Sequence, residues 1–269
     1  MRNPLLNWLF YGHLWIALAA AALCWQSTLL YYGDPGVGLP HFFVFFATLG
    51  VYTLHRLLSY HRSGGQPDGR RYRVVATHPR TSLIIGCGSL LAALAIGSFL
   101  PLARFWPVVF AVPFTYFYLI PLYPGGPRLR DLPYLKVVWV ALAWTLMTQV
   151  FPTPATGMLH PETAIRFAFT LAVALLFDTR DVVLDRRQGV RTLAADHPRL
   201  NRVLATLLLV GSAVASIAVY PSPVGAELGA AYALAGVVGA FTTSRHGEDW
   251  YAVAVNGLLL LPPLLLFCG

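Results

Sequence analysis

The sequence predicts an all-α integral membrane protein, a bundle of nine transmembrane helices, and three observations point to it. Of 269 residues, 57% are apolar and only 11% charged, whereas soluble domains carry about 25% charged residues; the mean hydropathy is +0.62. The charges lie in short islands between apolar runs of about 20 residues, the length that crosses a bilayer. If the N-terminus is placed inside, all nineteen basic residues but Arg104 and Arg166 fall on the inner side, a strong positive-inside signal. One missed span would scramble that sorting, so it supports the count. It also accounts for the net charge of +8 without a nucleic-acid partner.

The spans run over 11–32, 40–58, 81–101, 105–123, 133–151, 163–180, 201–220, 228–244 and 250–268. The first follows Arg2 and reads as a retained span, since no small-x-small cleavage site stands out. It ends at Gly33-Asp34-Pro35-Gly36. Further Pro and Gly clusters close spans four, five and seven: Pro121 to Pro127, Pro152 to Pro154 and Pro221 to Pro223. Pro262-Pro263 inside the ninth span predicts a kink. Spans three and seven are each preceded by His-Pro-Arg, at His78-Pro79-Arg80 and His197-Pro198-Arg199, with Pro where a first helical residue sits. If that echo is structural, spans 2–3 and 6–7 are equivalent hairpins. The longest polar connections, 59–80 and 181–200, leave no room for a soluble domain, so residues 1–269 read as one membrane domain. Cys24, Cys87 and Cys268 lie far apart within spans and read as small apolar residues.

The chemistry concentrates where span six ends. Asp178, Asp181 and Asp185 recur at i, i+3 and i+7, within roughly 60° of one another on a helix. Like charges so close are unfavourable unless something cationic accompanies them, and an acid at the bilayer boundary is a functional hypothesis by default. Hard divalent cations such as Mg²⁺ take carboxylate oxygens together with substrate phosphate. The other reading is a solvated helix end paired with Arg180, Arg186 and Arg187.

Extended to Gly189, Thr192 and Leu193, this pattern resembles the second aspartate-rich motif of the UbiA superfamily of intramembrane prenyltransferases. The resemblance implies a nine-helix bundle whose central chamber opens to the cytoplasmic side. It implies a polyprenyl diphosphate held through Mg²⁺ on Asp178, Asp181 and Asp185, and transfer of the prenyl group to a lipophilic, often aromatic, acceptor. The expected setting is a bacterial inner membrane, with the N-terminus and the site loops cytoplasmic.

The family's first motif, Asn-x-x-x-Asp-x-x-x-Asp near the end of span two, is not matched. No acid occurs between Asp34 and Asp68, so one of the two expected metal sites should be missing or rebuilt. Tyr52, His55, Arg56, Ser59 and Arg62 instead form a polar stripe. Arg56 could bind diphosphate directly and His55 could move a proton or donate to phosphate, or both could anchor the helix among headgroups. Lys136, the sole lysine, together with Arg128 and Arg130, is a further candidate for the diphosphate. Tyr52 and Tyr118 are candidates for the chamber lining; Tyr116 fits that role or a membrane-belt position. Glu248-Asp249 reads as a solvated loop. Alternative functions are a non-catalytic lipid-binding or assembly protein of the same fold, and a prenyl-diphosphate cyclase or hydrolase. A transporter is disfavoured, since its acids would sit near the bilayer midplane.

Overall fold

A computed structural model describes residues 3–34, 36–62, 69–187 and 189–268, and among them every regular element is helical. Pro35 of the predicted turn, the 63–68 part of the 59–80 connection, and Gln188 lie outside the described residues. The elements are α1 (Pro4–Tyr11), α2 (Leu14–Tyr32), α3 (Leu39–Arg62), α4 (Arg73–Thr77), α5 (Pro79–Gly97) and α6 (Trp106–Leu119). There follow α7 (Lys136–Val150), α8 (Pro161–Arg187), α9 (Leu193–Asp196), α10 (Pro198–Val219), α11 (Val224–Phe241), α12 (Glu248–Leu258) and α13 (Leu261–Cys268).

Five helices, α2, α3, α5, α10 and α11, are long and apolar enough to cross a membrane, and α12 with α13 makes a sixth if the bent pair counts as one. The remaining predicted spans are helical but fall short for separate reasons. α6 has 14 residues and stops just before Pro121, because the residue preceding a proline is pushed out of the helical region. α7 begins only at Lys136 and is too short. α8 has 27 residues but carries charge at both ends. The predicted kink is present: α12 and α13 meet at 48°. Pro262 and Pro263 lack the N–H groups that would bond the carbonyls of Leu258 and Leu259, and their rings crowd that turn.

The His-Pro-Arg echo has a structural counterpart. His78 (φ −131°, ψ 58°) and His197 (φ −136°, ψ 68°) adopt nearly the same backbone, each followed by Pro at the start of a long helix. Each donates its N–H back into a short helix, to Val74 and Leu193, at 2.8 Å.

α8 runs through the core. Its Phe169, Ala172, Val173 and Leu176 pack with Leu23 of α2, Leu209 of α10, Tyr232 of α11 and Tyr251 of α12. A second cluster joins Cys24, Phe43, Val44, Ala93 and Phe151. α3 and α5 approach closely at Gly50 and Gly86. A Cβ on Gly50 would meet the Leu90 side chain at 2.7 Å, and one on Gly86 would meet Leu54 at 2.7 Å. Small residues at a helix crossing give the close packing that membrane bundles use in place of a hydrophobic driving force.

Candidate functional site

The acidic ladder occupies the C-terminal turns of α8. The helix ends because Gly189 takes a left-handed conformation (φ 69°), which glycine adopts without steric cost. Val190 donates its N–H to the Asp185 carbonyl at 2.9 Å. Thr192 then caps α9, accepting the Ala195 N–H at 3.2 Å. Gly189 and Thr192 therefore shape the chain around the ladder. The turn they make reaches the start of α7: Tyr134 donates its N–H to the Arg191 carbonyl at 3.1 Å, and its hydroxyl donates to Asp196 at 2.8 Å and accepts from Arg191 at 2.6 Å. These contacts hold Tyr134 at φ 62°, a left-handed conformation costing a side-chain-bearing residue roughly 1–2 kcal/mol. α7 starts two residues later, at Lys136.

That lysine supplies the cation the ladder lacks on its own. Its ammonium lies 2.9 Å from Asp178 Oδ1 and 2.8 Å from Asp185 Oδ2, with both acids buried. Asp181 turns elsewhere, to Arg71 at 2.6 Å and Arg180 at 3.0 Å. Arg130 stands 3.9 Å from Asp185 and over the Tyr118 ring at 5.7 Å. Arg56 has no carboxylate within ion-pair distance among the described residues. Its guanidinium lies over the Tyr72 ring at 5.1 Å, with Arg71 over the same ring at 5.5 Å. The Arg56 Nε and the His55 Nε2 are buried without a hydrogen-bond partner.

These groups surround a cavity of about 220 Å³. Among the described residues its charged lining is five cations, Arg56, Arg71, Arg130, Lys136 and Arg180, against three carboxylates, Asp178, Asp181 and Glu248. A second cavity of about 180 Å³ adjoins it. Its lining is apolar and aromatic, with Phe114 and Trp139 stacked at 5.3 Å. Tyr52, His55, Tyr118 and Trp144 line both spaces. Between them Trp144 Nε1 donates to the Tyr52 hydroxyl at 2.9 Å. A cationic basin thus opens beside an apolar pocket, which is the polarity of a charged headgroup joined to a hydrocarbon tail.

Most residues singled out from the sequence gather here. Asp178, Asp181, His55, Arg56, Lys136, Arg130, Tyr52 and Tyr118 line the polar cavity. Asp185 stands behind Lys136, fully buried and off the cavity wall. Arg128 does not line the cavity: it forms a two-point pair with Asp131, Nε to Oδ2 and Nη2 to Oδ1, both at 2.8 Å. Partial burial opposes the Asp131 charge, but the Arg128 contacts outweigh it and hold the carboxyl below its ordinary range. Tyr116 is 52% exposed, as a belt residue would be. The solvated-loop reading of Glu248-Asp249 fails. Glu248 lines the cavity and accepts the Arg71 N–H at 3.0 Å, and Asp249 accepts from the Tyr11 hydroxyl at 2.5 Å. Charge at the head of α12 thereby ties that helix to α1 and the 69–73 segment. Sequence reasoning did not single out Arg71, Tyr72, His13 or Trp144. The Gly12-His13 break, with His13 at φ 68°, lies at the edge of the predicted first span and was the available signal for His13.

The profile of the UbiA prenyltransferase family matches residues 70–250, more than half of the chain. The chain belongs to the UbiA prenyltransferase family. Solved UbiA structures share its fold. A UbiA homolog from Archaeoglobus fulgidus bound to GPP and Mg²⁺ superposes with a TM-score of 0.67 at 13% identity, covering 97% of this chain and 98% of that one. The same homolog bound to DMAPP and Mg²⁺ gives 0.67 at 13% identity, covering 99% and 98%. A digeranylgeranylglyceryl phosphate synthase gives 0.55 at 15% identity, covering 97% and 96%. No curated protein matches the chain by sequence.

The Mg²⁺ sites implied by the family do not fit the residues present. Among the described residues, no three His, Cys, Asp or Glu side chains are grouped to hold a metal ion. On the α3 side the first-motif acids are absent from the sequence, and His55 and Arg56 line the cavity instead. On the α8 side Lys136 takes one oxygen of Asp178 and one of Asp185, and Asp181 is held by two arginines. The metal-ligand role expected of Asp178, Asp181 and Asp185 therefore has to compete with an ammonium and guanidinium groups for these carboxylates.

Proposed function

We propose that this integral membrane protein transfers a prenyl group from a polyprenyl diphosphate to a lipophilic acceptor. The observation that carries the reading is the cationic cavity joined to an aromatic pocket, in a chain of the UbiA prenyltransferase family. Structures of the A. fulgidus homolog with GPP and DMAPP support a prenyl diphosphate as the donor. The reading takes the chain as one domain of nine spans, with α6, α7 and α8 crossing the bilayer inside the bundle. Its N-terminus and cavity mouth face the cytoplasm of a bacterial inner membrane.

In the reaction the allylic C–O bond breaks and its electron pair leaves with the diphosphate. Arg56, Lys136, Arg71, Arg130 and Arg180 are placed to meet that growing negative charge, the largest lever available to such a site. Asp178, Asp181 and Asp185 keep those cations in position. Tyr52, Tyr118 and Trp144 present aromatic faces where the prenyl cation forms, and the apolar pocket excludes water that would quench it. The acceptor attacks the allylic carbon and loses a proton, and the unpartnered Nε2 of His55 is a base within the cavity wall. Mg²⁺ has no step in this scheme.

The absence of the first-motif acids, on a helix that carries His55 and Arg56, favours a second reading, a non-catalytic binder of diphosphate lipids. One experiment separates the two. Purified protein is incubated with labelled prenyl diphosphates of increasing length and a membrane-lipid extract as acceptor, and released diphosphate is measured. The transferase reading expects release, reduced about 10²-fold in Asp181→Asn because Arg71 and Arg180 lose their positioning partner. Binding without release supports the binder, and neither binding nor release with any chain length overturns both.

A further inference from the structure

We propose that fixed side-chain cations of this protein, Lys136 among the α8 acids and Arg56 on α3, supply the counter-charge that Mg²⁺ supplies in a two-metal prenyltransferase, so that it binds a prenyl diphosphate without divalent metal. The inference rests on the prenyl-diphosphate reading above and goes beyond it by assigning the counter-charge.

The α8 side carries the first half of the argument. Asp178 and Asp185 are the acids that would share a metal, and Lys136 lies between them at 2.9 and 2.8 Å. Both carboxylates and the ammonium are almost wholly removed from solvent, with side-chain exposures of 7%, 0% and 7%. A divalent ion bridging the acids through the oxygens that Lys136 holds would have to displace a buried, doubly paired ammonium, and the remaining Asp185 Oδ1 is buried off the cavity wall. The ion pair also rests on a shaped backbone: the left-handed Tyr134 two residues before Lys136 is held by Arg191 and Asp196, which follow the ladder in sequence.

The α3 side carries the second half, independently. Arg56 lines the cavity with no carboxylate in ion-pair range among the described residues and its Nε unpartnered. An unpaired guanidinium removed from bulk water needs an anion to offset its desolvation. The nearby acid Asp181 is already taken by Arg71 and Arg180. Five cations face three carboxylates on the described wall, with Asp185 behind Lys136, so a ligand that satisfies Arg56 is an anion and offers the guanidinium more than one acceptor oxygen. A diphosphate meets both conditions, and guanidinium offers it two parallel hydrogen bonds. The adjoining aromatic pocket selects the ester with an apolar tail over inorganic diphosphate.

The test is titration calorimetry on the purified full chain with geranyl diphosphate, in excess EDTA and in excess Mg²⁺, with inorganic diphosphate as a second ligand. Wild type is expected to bind geranyl diphosphate in EDTA with an affinity within about threefold of that in Mg²⁺, and to bind inorganic diphosphate at least about tenfold more weakly. Arg56→Gln should weaken metal-free binding about 30-fold or more. Arg56→Asp, which restores an acid to α3, should not bind in EDTA and should recover with Mg²⁺. Wild-type binding that disappears in EDTA and returns with Mg²⁺ overturns the inference while leaving the donor assignment standing. Unchanged metal-free affinity in Arg56→Gln overturns it as well. Absence of binding under either condition removes the donor assignment and the inference together. The comparison of wild type in EDTA and Mg²⁺ needs no variant to fold.

Discussion

Two buried charge clusters lie on the same helix, at opposite ends of α8, and they are built on opposite principles. At the N-terminal end Glu162 and Arg166 are 1% and 0% exposed and paired at 2.9 Å. Arg166 also donates to the Leu23 carbonyl and Ser27, and Glu162 accepts from Tyr220 at 3.0 Å and from Gln26 at 3.3 Å. Charge there matches charge, and neither residue lines a described cavity. At the C-terminal end cations outnumber carboxylates around an open space, and Arg56 has no carboxylate in ion-pair range among the described residues. A closed and balanced cluster joins α2, α8 and Tyr220 at the end of α10. An open and unbalanced one is complementary to an anion that the described residues do not supply.

The contrast can be broken or sharpened by substitution. The largest effect is expected for Arg166→Met, which strands Glu162 in the core and should cost about 3–5 kcal/mol. Thermal unfolding in detergent reads this, and adding Glu162→Gln should recover most of it. Geranyl diphosphate affinity of the folded fraction should stay at the wild-type value; a fall would join the two clusters and dissolve the contrast. Lys136→Met comes next, since it leaves Asp178 and Asp185 unpaired at a cost of about 3 kcal/mol. In that variant alone Mg²⁺ should raise the unfolding temperature, because two acids released from the ammonium become free to take a metal. Trp144→Phe removes the hydrogen bond to Tyr52 and should cost about 1 kcal/mol, with longer prenyl chains gaining relative to short ones as the two cavities merge. The smallest effect belongs to the Arg128–Asp131 pair off the cavity, where Asp131→Asn should cost under about 1 kcal/mol. The Asp131 pKa is lowered in the folded protein. Its contribution is therefore complete above the ordinary carboxylate value of about 4 and is lost as pH falls towards the folded value. Unfolding temperatures of wild type and Asp131→Asn should converge only under acid conditions.

The sequence made the spans legible because apolar length and Pro-Gly punctuation are local properties. It made the ladder legible because Asp178, Asp181 and Asp185 share a helical period. It did not reveal what answers the ladder. Lys136 and Asp178 belong to different helices, and Arg71 reaches Asp181 across 110 positions, so nothing local in either segment names the other. The charge sorting counted Arg166 on the outer side, at the outer end of predicted span six, and it is 0% exposed inside the bundle. Counting by sign and sidedness cannot distinguish a charge at a solvated helix end from one buried among helices. The Glu248-Asp249 pair was misread for the same reason, since its partners Tyr11, Arg70 and Arg71 lie far away in sequence.

Lys136 carries one more consequence. It is the sole lysine in the sequence, so the protein's entire complement of side-chain amines sits at the bottom of its polar cavity. An amine-directed acylating reagent can therefore modify a lysine at one address only, and just when the ammonium leaves Asp178 and Asp185 long enough to lose its proton. The mass added by such a reagent is a built-in occupancy meter, and whatever fills the cavity will register on it as protection.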